Sequence, residues 1–199
     1  PDSLRLYMNA GGGAKLNTYS SLIASDHHIV NGDLFGPLLD YSVERVSLAG
    51  GLEGRISSRF SYNLRAGYVN YANEALQAAA YIPSCPNVSG VVYAPYQKWF
   101  VAMDWLLKTE RVRLDGSLSY DHAWGELFDT GCVGVAVLKP AALTGDVSFE
   151  YNWNRRVFAG VDCSFSTARK GGFGMPGLGS DQVPLSMLKV PGYADLGFF

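Results

Sequence analysis

The stretch from Arg55 to Tyr71 reads RISSRFSYNLRAGYVNY, and within it Phe60, Tyr62, Leu64, Ala66 and Tyr68 alternate with Ser61, Asn63, Arg65 and Gly67. A period of two assigns each set to its own face of a strand. About eight runs in the chain share this texture: Leu4 to Ala14, Val43 to Ile56, Arg59 to Tyr71, Gln97 to Leu107, Arg111 to Trp124, Leu143 to Tyr151, Val157 to Thr167, and a last one from near Lys189 to Phe199. The clearest sets Val112, Leu114, Gly116, Leu118 and Tyr120 against Arg111, Arg113, Asp115, Ser117, Ser119 and Asp121.

The connections alternate as well. Ser57-Ser58, Lys108 to Glu110 and Asn152 to Arg156 are short, whereas Lys15 to Ser42, Ala72 to Tyr96, Gly125 to Ala142 and Ala168 to Leu188 are long. Short turns at one end and long loops at the other are the plan of outer-membrane barrels, in which apolar side chains face lipid and polar ones the lumen. The expected fold is therefore all-β: an antiparallel transmembrane β-barrel with short periplasmic turns and long extracellular loops, spanning 1–199 as a single barrel region. Aromatics suit the two membrane interfaces. Phe60, Tyr62, Trp105, Tyr151 and Trp153 lie near short turns, and Tyr68, Tyr71, Trp99, Tyr120 and Trp124 near long loops. The expected lumen face carries Arg45, Glu53, Arg65, Asp104, Arg113, Asp115, Asp121, Asp146, Glu150 and Asp162. Mixed charges there can pair across strands or line water, whereas in an apolar core they would be very costly. A soluble barrel or sandwich with its apolar face inward has the same alternation, but it does not account for two belts or for alternating connection lengths.

Composition agrees. Gly (23 residues) and Tyr (12 residues) are abundant in this chain of 199, which favours strands, tight turns and aromatic belts. A net charge of −2 without a basic stripe argues against nucleic acid. No apolar run has the length of a membrane helix, a test to which strands are blind. The opening PDSLRLYMNAGG has no basic start and apolar core of a signal peptide, and Pro1 is not a natural initiator, so the chain reads as a processed or excised piece.

Four segments resemble a known family: YNLRAGYVNYANEALQ, VRLDGSLSYDHAWG, FEYNWNRRVFAGVDCSFSTAR and the ending VPGYADLGFF. From about Val43 onward they resemble the barrel region of TonB-dependent-receptor-like outer-membrane proteins of the Bacteroides group. The resemblance implies nutrient uptake driven by an energy-coupling protein, a plug domain filling a large barrel, and further strands after Gly197. No plug or TonB-contacting segment is visible here. The expectation is thus a fragment of a barrel wall in the bacterial outer membrane, with lipid and an unknown small-molecule substrate as partners. The alternatives are a complete eight-stranded barrel, against which Asp195 and Gly197 fit poorly on an apolar stripe beside Phe199, and a barrel that serves structure or surface interaction without transport.

No catalytic, cofactor or metal site emerges, and no enzyme activity is expected. Gly172 to Gly177 (GFGMPG) lacks the strand and helix of a dinucleotide site and reads as a flexible loop. Gly11 to Lys15 (GGGAK) lacks the phosphate-loop order and reads as a strand with little side-chain bulk, or as a close contact with a neighbour. His27 and His28 beside Asp26 read as a solvated loop. His122 falls on the lipid side beside Asp121, with no serine at the matching strand ends to serve as a nucleophile. Cys85, Cys132 and Cys163 have no metal spacing. Cys85 and Cys132 share the long-loop side and are expected to pair, leaving Cys163 facing lipid.

Overall fold

In the computed structural model the chain is described over residues 3–17, 40–82, 85–130, 135–153, 157–174 and 185–199. Eight strands form one antiparallel meander, β1 (Ser3–Leu16), β2 (Tyr41–Ser57), β3 (Phe60–Ile82), β4 (Cys85–Lys108), β5 (Val112–Trp124), β7 (Leu143–Trp153), β8 (Val157–Ser166) and β11 (Tyr193–Phe198), each paired with the next. Between β5 and β7 lie a short helix, α1 (Glu126–Thr130), and β6 (Val135–Val137). Between β8 and β11 a hairpin of β9 (Arg169–Gly174) and β10 (Leu185–Val190) forms a separate two-stranded sheet.

Register turns the sequence alternation into two continuous faces. One row across the sheet runs Leu6, Leu52, Leu64, Met103, Leu118, Gly145, Phe165 and Ala194, and the row beside it Leu4, Gly54, Tyr62, Trp105, Gly116, Val147, Cys163 and Leu196. The opposite face carries Arg5, Glu53, Asn63, Asp104, Ser117, Asp146, Ser164 and Asp195 in a single row. Directly opposed residues share a face, so no strand is out of phase with its neighbours along these rows.

The abundant glycine and aromatic residues are two halves of one device. Tyr7 lies opposite Gly51, Phe100 opposite Gly67, Trp105 opposite Gly116 and Phe165 opposite Gly145, and in each pair the ring occupies the space a Cβ on the glycine would need. The aromatic covers a strand position that has no side chain of its own and pins the register. Gly12 has a different reason: a Cβ there would meet the carbonyl oxygens of Glu44 and Arg45 at 3.0 and 2.9 Å, which bears out the close contact expected of the GGGAK stretch.

Four sequence expectations need correction. The stretch from Ala72 to Tyr96 is not a loop, because β3 runs on to Ile82 and β4 starts at Cys85. The alanine-rich ANEALQAAAYI lacks a period of two, but β4 pairs with it on one side and β6 on the other, and those ladders override propensity. The GFGMPG stretch begins as strand, since Gly172 to Gly174 pair with β10. The last run is two strands, interrupted at Pro191 and Gly192, and Ala194, Leu196 and Phe198 continue the apolar rows while Asp195 and Gly197 turn to the polar face. The objection that these two break an apolar stripe therefore falls. Finally, the eight strands do not close into a barrel: the sheet ends at β1 and at β11.

Candidate functional site: the polar face and its covered end

Among the described residues, charge concentrates on the polar face. Strand register assigns Glu53, Arg65, Asp104, Arg113, Asp115, Asp121, Asp146, Glu150 and Asp162 to it. Arg45 is the exception in kind. The β2–β3 ladder skips it at a bulge between Glu44 and Val46, and it lines a depression with Asn70, Gln97 and Trp124. A bulge re-aims side chains, and alternation read from the sequence does not carry through one.

Charges on this face do pair. Arg5 reaches Glu53 at 3.3 Å, Arg65 reaches Asp104 at 3.5 Å, Lys98 reaches Asp121 at 3.2 Å, and Arg113 reaches Asp115 along its own strand at 2.7 Å. Hydroxyls complete the set: Tyr7 donates to Asn63 at 2.8 Å, and Ser164 donates to Asp146 at 2.8 Å. Arg5, Tyr7 and Lys98 were not among the expected site residues. Their signal was present, since Arg5 and Tyr7 alternate with Leu4, Leu6 and Met8, and Lys98 alternates with Trp99.

Toward the long-loop end the same face changes character. Tyr71 and Tyr96 stack at 4.8 Å, and Phe128 of α1 meets Tyr96 edge-on at 5.5 Å. Tyr96 and Phe128 form the apolar core with Leu76, Ala94 and Val137, and Tyr71, Val92, Ala123 and Leu127 pack against it. Tyr71 was expected in the outer aromatic belt. It is one residue out of phase with Tyr68 and Asn70 and turns instead into this core. Beside it, burial holds the Glu74 carboxyl above the ordinary carboxylate range, opposed by a hydrogen bond from Ser42. Glu74 lies past the aromatic belt. It lines a depression with Glu44, Asn17, Ser42 and the glycine run of β1. The stem of the first long connection is tied down here. Asn17 donates to the Asp40 carbonyl at 3.1 Å and to Ser42 at 2.7 Å, and Asn73 donates to Asp40 Oδ2 at 3.2 Å.

The apolar face carries its own ordered aromatics at the same level. Trp99 contacts Tyr120 and His122 at 5.3 and 5.6 Å, His122 contacts Trp124 at 5.8 Å, and Tyr68 meets Trp124 at 6.2 Å while donating to Gln97 at 2.9 Å. His122 is thus set among rings, and Asp121, its neighbour in sequence, is on the other face with Lys98. The two do not form an acid–base pair. Phe60 with Tyr62, and Tyr151 with Trp153, occupy the short-turn end of the apolar face.

Among the described residues no group of three or more His, Cys, Asp or Glu could hold a metal ion, and no helix is long and apolar enough to cross a membrane. Cys163 is free and sits on the apolar face beside Val147 and Leu196. Cys132 lies outside the described residues, and with it the expected pairing to Cys85; so do Asp26, His27 and His28. No protein-family model matches the chain, and no curated protein matches it.

Proposed function

We propose that this chain forms part of the wall of an outer-membrane β-barrel, its apolar face against lipid and its charged face toward a hydrated lumen, in a protein that takes up or passes a small molecule. One observation carries the reading. An apolar surface runs unbroken over eight strands and is left uncovered among the described residues, with Leu6 78% and Met8 90% exposed and Leu64, Trp99, Val101 and Phe149 also open. Contiguous apolar surface on this scale calls for lipid or a partner. The belts bracket it at the right distance. In β5 the apolar register runs from Val112 to His122, a length within the about 9–11 residues a tilted strand needs to cross a bilayer.

The edges of β1 and β11, which pair with no further strand among the described residues, favour a larger barrel over an eight-stranded one. In hydrocarbon each unpaired backbone group costs several kcal/mol, so both edges call for further antiparallel strands. The resemblance to TonB-dependent-receptor-like barrels fits such a wall and makes nutrient import the preferred role. A barrel dedicated to surface interaction is the second reading, favoured by the packed unit at the long-loop end; a plug domain in the full-length product discriminates in favour of import.

The chain carries its own probe. All four tryptophans, Trp99, Trp105, Trp124 and Trp153, belong to the apolar face. Reconstituted in vesicles, the protein should float with lipid, and its fluorescence should be quenched by brominated acyl chains, most strongly by bromines near the headgroups. A chain that stays in the aqueous fraction with unquenched tryptophans sinks the proposal.

A further inference from the structure

The connection between β5 and β7 does not take the short route between two neighbouring strands. From the end of β5 it places Phe128 on Tyr96 of β4, then pairs β6 with β3 through Ala78↔Val137, Ala79↔Ala136 and Ala80↔Val135 before returning to β7. It uses the edge of β3 beyond Asn73, where pairing with β2 stops. At about 4.8 Å per strand spacing, it crosses the width of β4 and reaches past β3, on the face that carries Tyr71, Tyr96 and Ala123. It is firmly held. Phe128 and Val137 are fully buried, Leu138 donates its N–H to the Gln77 carbonyl at 2.8 Å, and Lys139 pairs with Asp129 at 3.1 Å. The next hairpin packs closely on it, since a Cβ on Gly171 or Gly172 would meet the backbone of Val137 or Asp129. Just beneath, the Lys98–Asp121 pair is the most sheltered ion pair on the polar face, at 22% and 15% side-chain exposure.

We infer that the described parts of this connection, α1 and the segment from β6 to Lys139, form a fixed inward-folded constriction, which shields the β3–β5 sector of the polar face from the long-loop side. The inference rests on the proposed membrane orientation, in which that face lines the lumen. Its packing is that of a small folded core rather than of a hinged flap.

The test uses the full chain in vesicles, with Cys85→Ser, Cys132→Ser and Cys163→Ala, and a reporter Ala123→Cys on the polar face against the constriction. The probe is a small charged methanethiosulfonate. Labelling should be slow and should rise at least about tenfold with Phe128→Ala, because opening the local core exposes what it covers. Lys139→Glu, which sets a carboxylate against Asp129, is the milder variant and should shift the rate in the same direction if Phe128→Ala does not assemble. A chain that floats with lipid but labels equally fast with and without these substitutions overturns the constriction alone. A chain that does not float overturns the membrane orientation and, with it, any role in a lumen.

Discussion

Two regions of this molecule solve the problem of apolar side chains in opposite ways. The eight-stranded sheet, the wall of the proposed barrel, leaves Leu64, Val101, Met103, Leu118 and Phe149 open on one face. The unit at the long-loop end buries Leu76, Tyr96, Phe128 and Val137 against one another, as a water-soluble domain does. Both are made from antiparallel strands of one chain, and β3 and β4 pass from one region into the other. The difference is which face meets water. Along the wall the polar face carries the ion pairs, whereas past the aromatic belt the same face becomes the apolar core. In the proposed orientation a strand thus changes solvent along its length, and Tyr68 and Tyr71 stand on opposite sides of that change.

The comparison breaks most readily at the core. Phe128→Ala removes a fully buried ring, a change of about 3–5 kcal/mol in well-packed interiors. The loss should be local. Hydrogen exchange at Leu138 should accelerate while amides of β7 and β8 keep their protection, and uniform acceleration through the wall would show one cooperative unit instead of two regions. The wall should respond next. Leu118→Arg on the apolar face should cost about 2–4 kcal/mol of folding into liposomes, and Ser117→Arg beside it on the polar face far less. Equal costs, or a larger one at Ser117, would reject the lipid-facing assignment. The smallest effect belongs to the charged face. Arg65→Met breaks a 3.5 Å pair whose side chains are 47% and 40% exposed, so a change of about 0–1 kcal/mol is expected in denaturant unfolding from liposomes. A loss well beyond that would mean that the polar face is drier than its geometry indicates.

Much of the wall was legible in residue order. The sets headed by Phe60, Val112 and Leu143 alternate because each residue's face follows from its own strand; at the β2–β3 turn, which is Ser58-Arg59, the ladder shifts at Ile56. Nine of the ten charged residues expected together lie on one face for the same reason. Arg45 could not be placed by alternation because the β2–β3 ladder skips it at a bulge, and a bulge depends on the partner strand as well as on the residue itself. Tyr71 follows alternation onto the polar face and differs from the expectation because it was grouped with Tyr68, which lies on the other face.

The sequence by itself determined the period of two and the two chemistries it separates, which are local properties; the alternation of short and long connections failed at Ala72 to Tyr96, where β3 and β4 run on as strands. Tertiary structure alone decided where the long connections go. Nothing in ELFDT or VAV names β4 or β3 as a partner; their place follows from an edge of β3 left open where β2 ends and from the room Tyr96 offers to Phe128. It also decided that the sheet stays open at β1 and β11. Closure depends on strand number, tilt and shear acting together, and no single strand encodes these.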